Sequence, residues 1–273
     1  MIDSHQHFWD PARGDYGWLA SGSPLHRTFL PDDLTPLLRQ SGVDGSILVQ
    51  AAPTAEETDY LLGLARANPW ILGVVGWVDL AAGDADAQLR IRAGEPRFVG
   101  VRPMLQDLPE PAWILNEAPR EGLEAMKAEG LVFDALVRWP QLPVIVSLAR
   151  RHPTLSIVVD HAGKPPFGDA SAWPLWETSI RAAASHSNVA CKLSGLLTEC
   201  PEPGARGAVD RCVQLLVESF GPERLLWGSD WPVATTAVGY ADWLSYCRSR
   251  VRGLAPDQVD AIFGGNARRI YAL

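Results

Sequence analysis

The sequence predicts a single (β/α)8 barrel, a TIM barrel, spanning residues 1–273, and three observations carry that expectation. Eight short apolar runs rich in Val, Ile and Leu recur along the chain. Longer segments with helix-like patterning separate them. No linker, repeat or low-complexity tract divides the sequence. Strand, helix, strand in eightfold alternation implies parallel pairing through right-handed crossovers, and eight units close a barrel. An open doubly wound sheet is the alternative.

The strand candidates are 2–8, 45–51, 71–78 and 98–104, followed by 132–137, 156–162, 189–195 and 225–231. Between the first two, Pro31, Asp32 and Asp33 open a helix toward Leu34 and Leu37. Thr54 and Glu57 form a capping box ahead of Tyr60, Leu61, Leu64 and Ala65. Pro256 and Asp257 open the last helix, which ends near Arg269. Residues 10–28 and the Pro-rich stretch 105–120 read as long connections lying over strand ends.

Bulk properties exclude several functions. With 47% apolar and 21% charged residues the composition is that of an ordinary globular chain. A net charge of −8 repels phosphate backbones and anionic lipid, so nucleic acid and membrane surfaces are not expected partners. The longest apolar run, Trp70 to Val78, is too short to span a bilayer. No basic-then-apolar leader precedes Ile2. Cys191, Cys200, Cys212 and Cys247 show neither CxxC nor zinc-finger spacing, and free thiols in a reducing cytoplasm are expected.

The chemistry-bearing residues sit at predicted strand ends. In Asp3-Ser4-His5-Gln6-His7, the two-residue strand period puts His5 and His7 on one face, about 7 Å apart along the strand. Asp160-His161-Ala162-Gly163-Lys164 ends the sixth strand. Trp227-Gly228-Ser229-Asp230-Trp231-Pro232 ends the eighth, and an acid there needs a cation, donors or a proton-transfer role. Barrel active sites occupy this rim.

These fragments, SHQHFW, VDHAGKP, CKLSGL and GSDWP, together resemble the amidohydrolase superfamily. The resemblance is to its sugar-lactonase branch, which includes L-fuconolactonases and L-rhamnonolactonases, and runs from about Ile2 to Leu273. It implies that His5, His7, His161 and Asp230 are the catalytic set. Binuclear members carry a bridging Lys or Glu on the fourth strand and a His on the fifth. Arg102 and Asp134 stand there instead, and arginine does not ligate metal. A two-metal site is therefore not expected. Either one Zn²⁺ is held by His5, His7 and Asp230, or no metal is needed.

The expected reaction is hydrolysis of a sugar-derived lactone. Asp230 is the candidate base for water, and His161 or an imidazole of the His5/His7 pair polarises the carbonyl oxygen. Gln50, Trp77, Arg102, Asp134 and Lys192 are candidate substrate contacts, with Arg102 as anchor. Structural ion pairing is the competing reading for Arg102 and Lys192, and burial is the competing one for the tryptophans at strand ends. Few cations near the mouth (Arg102, Lys192, Arg138 and Lys164) favour a neutral aldonolactone over a dicarboxylate. The rival reactions are zinc-dependent decarboxylation, C–N hydrolysis and lactone isomerisation on the same barrel. A non-catalytic sugar-binding barrel is the rival from another class. A small-molecule lactone is the expected partner, and homo-oligomerisation is open.

Overall fold

The computed structural model describes residues 1–200 and 206–273. Its eight strands are β1 (Ile2–Gln6), β2 (Gly45–Val49), β3 (Ile71–Gly76), β4 (Phe98–Val101), β5 (Val132–Ala135), β6 (Ile157–Val159), β7 (Val189–Leu193) and β8 (Leu225–Trp227). Each pairs in parallel with the next in chain order. The residues after β8 close the ring: His7 N–H donates to the Trp231 carbonyl, and Asp230 N–H to the His5 carbonyl, both at 2.8 Å. The open-sheet alternative is thereby excluded.

All eight expected strands are present, and each ends two to four residues earlier than the apolar runs suggested. Past each end the backbone leaves the ladder to present side chains. His161 and Ala162 after β6, and Asp230 after β8, adopt positive φ values of 50°, 54° and 57°. Such conformations are uncommon outside glycine and cluster at functional sites.

Helices α1 (Pro31–Ser41), α2 (Ala55–Ala67), α3 (Ala85–Ala93), α4 (Arg120–Ala128), α5 (Leu142–Arg151), α6 (Trp173–Ala184), α7 (Arg206–Phe220) and α8 (Tyr240–Val251) follow successive strands. The chain ends with α9 (Pro256–Asp260), a wide turn over Ala261–Gly265, and α10 (Asn266–Ile270). At α2 the expected capping box is only half made. Thr54 Oγ1 accepts from Glu57 N–H at 3.1 Å. The Glu57 carboxylate turns instead to the β2 end, accepting from Ala51 N–H at 2.9 Å and Ala52 N–H at 3.1 Å. Those two donors lie in the buried loop after β2 and have greater need of an acceptor.

Two apolar clusters hold the fold. The larger fills the space between sheet and helices. The smaller lies inside the barrel, where Ile47, Val49, Val75, Val132, Val158, Ala190 and Leu226 meet Tyr271 from the C-terminal segment. The two-residue strand period then places Asp134, Asp160 and Lys192 on the same inward face, two residues beyond Val132, Val158 and Ala190. A charged layer therefore rests on an apolar plug, and the cavity opens above it.

The 10–28 connection is clipped shut at its base by reciprocal backbone bonds between Trp9 and Phe29, at 3.1 and 2.9 Å. Trp18 from this connection and Met104, Gln106 and Asp107 from the β4–α4 connection stand over the strand ends. No helix among the described residues is long and apolar enough to cross a membrane.

Candidate active site

His5, His7, His161 and Asp230 converge, although they come from the two ends and the middle of the chain. His5 Nε2 and His7 Nε2 are 3.1 Å apart. Asp230 Oδ1 lies 3.4 Å from His7 Nε2, 3.7 Å from His5 Nε2 and 4.0 Å from His161 Nε2. His7, His161 and Asp230, together with Arg102, line a cavity of about 350 Å³. His5 sits just beneath, fully buried.

The surroundings set each group's charge and tautomer. Burial pushes His161 below the ordinary histidine range, against the pull of Asp230. Burial, with Lys192 alongside, pushes His5 well below it. Burial opposes ionisation of Asp230, but the three imidazoles around it, His161 foremost, outweigh it and hold the carboxyl below the usual range. The site thus combines an ionised carboxylate with neutral imidazoles at His5 and His161. His7 Nδ1 is 2.8 Å from the Val49 carbonyl, which only accepts, so its proton is on Nδ1 and the Nε2 lone pair faces Asp230 and His5.

Two residues hold Asp230 in place from below. Asp3 Oδ1 accepts from Ser229 N–H at 2.8 Å, and Asp3 Oδ2 from the Tyr240 hydroxyl at 3.0 Å. Ser229 Oγ accepts from Trp231 N–H at 3.0 Å. His161 Nδ1 is held by Ser194 Oγ at 2.9 Å. Both serines therefore serve as supports.

The charged layer explains the other sequence candidates. Lys192 forms an ion pair with Asp134, lies 3.2 Å from Asp160 Oδ1 and 3.1 Å from His5 Nδ1, and is fully buried. Tyr271 O–H donates to Asp134 Oδ1 at 2.7 Å. Lys192 and Asp134 therefore sit under His5, not on the cavity wall, so direct substrate contact was the wrong expectation for them. Gln50 is also fully buried, donating to the Arg102 carbonyl at 2.8 Å. Arg102 does reach the wall, while pairing with Asp160 Oδ2 at 3.3 Å and donating to the Gln50 carbonyl. Trp77 faces a neighbouring cavity. Trp9, Trp227 and Trp231 are packing residues. Asp160 and Tyr271 had no sequence role; the Asp preceding His161 was the available signal for the first, and nothing local marked the second.

The same residues suit a metal ion. His5, His161 and Asp230 offer ligand atoms all within 4.8 Å of one another, and the gaps among His5, His7 and Asp230 are 3.1 to 3.7 Å. Tetrahedral zinc with Zn–N bonds of about 2.0–2.1 Å spaces its ligands by about 3.3 Å. A second observation agrees. Asp160 Oδ1, ion-paired with Lys192 Nζ at 3.2 Å but accepting no geometrically formed hydrogen bond among the described residues, lies 3.4 Å from His5 Nδ1. A His5 ring carrying its proton on Nδ1 would donate it to that oxygen, in competition with Lys192 Nζ at 3.1 Å from the same nitrogen, and turn its Nε2 lone pair toward Asp230 and His7. That is the carboxylate–histidine pairing common behind metal ligands.

Comparison with known proteins gives the family. A family model described as Amidohydrolase matches residues 2–273. An L-fucono-1,5-lactonase of Burkholderia ambifaria is 44% identical over 278 residues, covering 100% of this chain and 95% of its own. An L-fucono-1,5-lactonase of Burkholderia multivorans is 38% identical, covering 100% and 96%. A crystal structure of a Burkholderia multivorans amidohydrolase with bound zinc superposes with a TM-score of 0.93 at 36% identity, covering 100% and 99%. The chain belongs to the amidohydrolase family.

Proposed function

We propose that this protein is a lactonase that hydrolyses a neutral aldono-1,5-lactone. The observation that carries the reading is the ionised Asp230 carboxylate, held 3.4 to 4.0 Å from three imidazoles on the wall of a sugar-sized cavity. Full-length similarity to L-fucono-1,5-lactonases supports the substrate class.

Water bound against Asp230 Oδ1 gives up a proton to the carboxylate as its oxygen attacks the lactone carbonyl. The acyl carbon becomes tetrahedral, and charge builds on the carbonyl oxygen. With the Ser194 hydroxyl donating to Nδ1, His161 carries its proton on Nε2, 4.0 Å from Asp230 Oδ1, where it donates to that oxygen. Collapse breaks the ring C–O bond, and the proton collected by Asp230 passes to the leaving ring oxygen. The product is an aldonic acid. Arg102, whose Nε is buried without a partner, anchors a substrate hydroxyl. One Zn²⁺ would be held by His5, His7 and Asp230, and when bound it would supply a Lewis acid that eases deprotonation of water.

Charge at the wall favours a neutral substrate. Arg102 is paired with Asp160, and Lys164 with Glu199 at 2.8 Å. Arg138 is the one cavity-lining cation without an ion pair among the described residues. A dicarboxylate would need more. The buried free thiols Cys191, Cys212 and Cys247 suit a cytoplasmic enzyme.

A pH-indicator screen of aldono-1,4- and 1,5-lactones, with and without chelator, tests the reading. Acid release from a 1,5-lactone is the expected result. Release of carbon dioxide or ammonia from other substrates, with every lactone untouched, would overturn it.

A further inference from the structure

A second cavity, of about 720 Å³, adjoins the catalytic one, and Trp18, Met104 and Asp107 belong to the walls of both. A single pyranolactone is accommodated by the 350 Å³ chamber, so the larger space is not needed for the reacting ring.

Its walls have a definite chemistry. Three indoles surround it: Trp18 from the 10–28 connection, Trp77 after β3 and Trp113 from the 105–120 stretch. Two are fixed from behind. Trp18 Nε1 donates to the Ala51 carbonyl at 2.8 Å. The Trp77 backbone is clamped by Thr58, which accepts from its N–H at 2.8 Å and donates to its carbonyl at 3.0 Å. Asp15, Asp79 and Asp107 complete the polar part of the wall, and no Lys or Arg is among the lining residues described. Asp15 is already paired with Arg13 at 2.8 Å. Among the described residues Asp79 and Asp107 accept only local bonds, from Ala81 N–H at 3.0 Å and the Gln106 amide at 3.2 Å.

Two alternative occupants meet an objection, and a cation is left to the test. An anionic group faces carboxylates without a compensating cation. A wholly apolar group strips water from Asp79 and Asp107 and returns no hydrogen bond. A neutral polyol ring satisfies both demands, since its C–H face packs on indole and its hydroxyls donate to carboxylates.

We infer that this annex is a subsite for a second sugar, glycosidically linked to the lactone ring, so that the enzyme also opens disaccharide aldono-1,5-lactones. The inference rests on the lactonase reading. The chemistry is unchanged: water adds across the acyl C–O bond, the ring oxygen takes the proton, and the glycosidic bond is untouched.

The test compares a monosaccharide aldono-1,5-lactone that the enzyme opens with its glycosylated counterpart, made from the corresponding aldobionic acid. The wild type should have the higher kcat/KM on the glycosylated lactone. Trp113→Ala should lower that value about tenfold or more while the monosaccharide rate stays within about twofold, and Trp113→Phe should restore most of the loss by keeping an aromatic face. Ala81→Phe, which fills the annex, should give the same selective loss and guards against a folding defect in Trp113→Ala. Equal effects of these variants on both lactones, or no preference for the glycosylated one, would overturn the annex while leaving the lactonase intact. Failure to open any monosaccharide lactone would instead remove the reading beneath it. Quenching of tryptophan fluorescence by tetramethylammonium, with none by the reduced disaccharide alcohol, would assign the annex to a cation and also end the proposal.

Discussion

Gly195 and His161 are so close that no methyl group fits between them: a Cβ on Gly195 would lie 2.6 Å from His161 Nδ1. The same atom would stand 3.2 Å from Asp230 Oδ2, and the glycine φ is +65°. Gly195→Ala therefore carries both a left-handed backbone penalty of about 1–2 kcal/mol and a displaced His161 ring. A shift of about 1 Å at a reacting group can cost about 100-fold in rate. Lactone kinetics and a thermal melt should show a large fall in kcat and a modest fall in Tm. Unchanged kcat would mean that His161 has no positional role.

Asp230→Asn removes the proposed proton acceptor with little change of volume. Its neighbours His5 and His161 are held neutral by burial, so no buried cation is stranded. The expected loss in kcat is about 10²- to 10⁴-fold, the usual contribution of general acid–base catalysis, with Tm near that of the wild type. Retention of the full rate would move the base elsewhere.

Acid should harm activity below the ordinary histidine range, and the histidines' share of stability with it. In the folded protein His5 and His161 resist protonation, whereas in the unfolded chain they protonate near the ordinary histidine value of 6.5. The unfolded state therefore binds more protons between the folded values and 6.5. The contribution of these two histidines to stability is complete above 6.5 and declines as the pH falls through that window, while buried Asp3, Asp134 and Glu57, pushed up to about 6, 6 and 7, act in the opposite sense. kcat/KM should stay level from about pH 8 to 6.5 and drop only when the depressed histidines finally titrate. Paired pH–rate and pH–Tm profiles check this. A rate that begins to fall above pH 7 would contradict it.

Zinc uptake tests the buried acid behind His5. Equilibrium dialysis of chelator-treated protein should return about one zinc per chain, as a single tetrahedral set requires. Asp160→Asn should weaken that affinity about 10- to 100-fold, the usual effect of removing such a partner. Circular dichroism of the variant separates a metal defect from unfolding. Equal affinity in both proteins would show that Asp160 serves only Lys192 and Arg102.

Much of the barrel was legible because its signal is local. Apolar runs and their spacing mark β1 to β8, and the residues after His5, His161 and Asp230 carry motif-level cues. What escaped was set by distance in the chain. Lys192 looked like a strand-end ligand contact, but Asp134, Asp160 and His5 draw it inward, and no single-strand pattern reveals those partners. Tyr271 lies 137 residues from the carboxylate it serves. Strand ends were overestimated because residues such as Ala162 are apolar yet leave the ladder to form the bend beneath the site.

The join between β1 and the residues following β8 has a consequence for how activity is distributed along the polypeptide. His5 and His7 lie in the first half-barrel, while His161 and Asp230 lie in the second. The two backbone bonds linking His5 and His7 to Asp230 and Trp231 bring the halves together. Cut between α4 and β5, neither fragment would own a working centre. Turnover would then report reassembly of the ring itself, which makes this enzyme its own sensor of barrel closure.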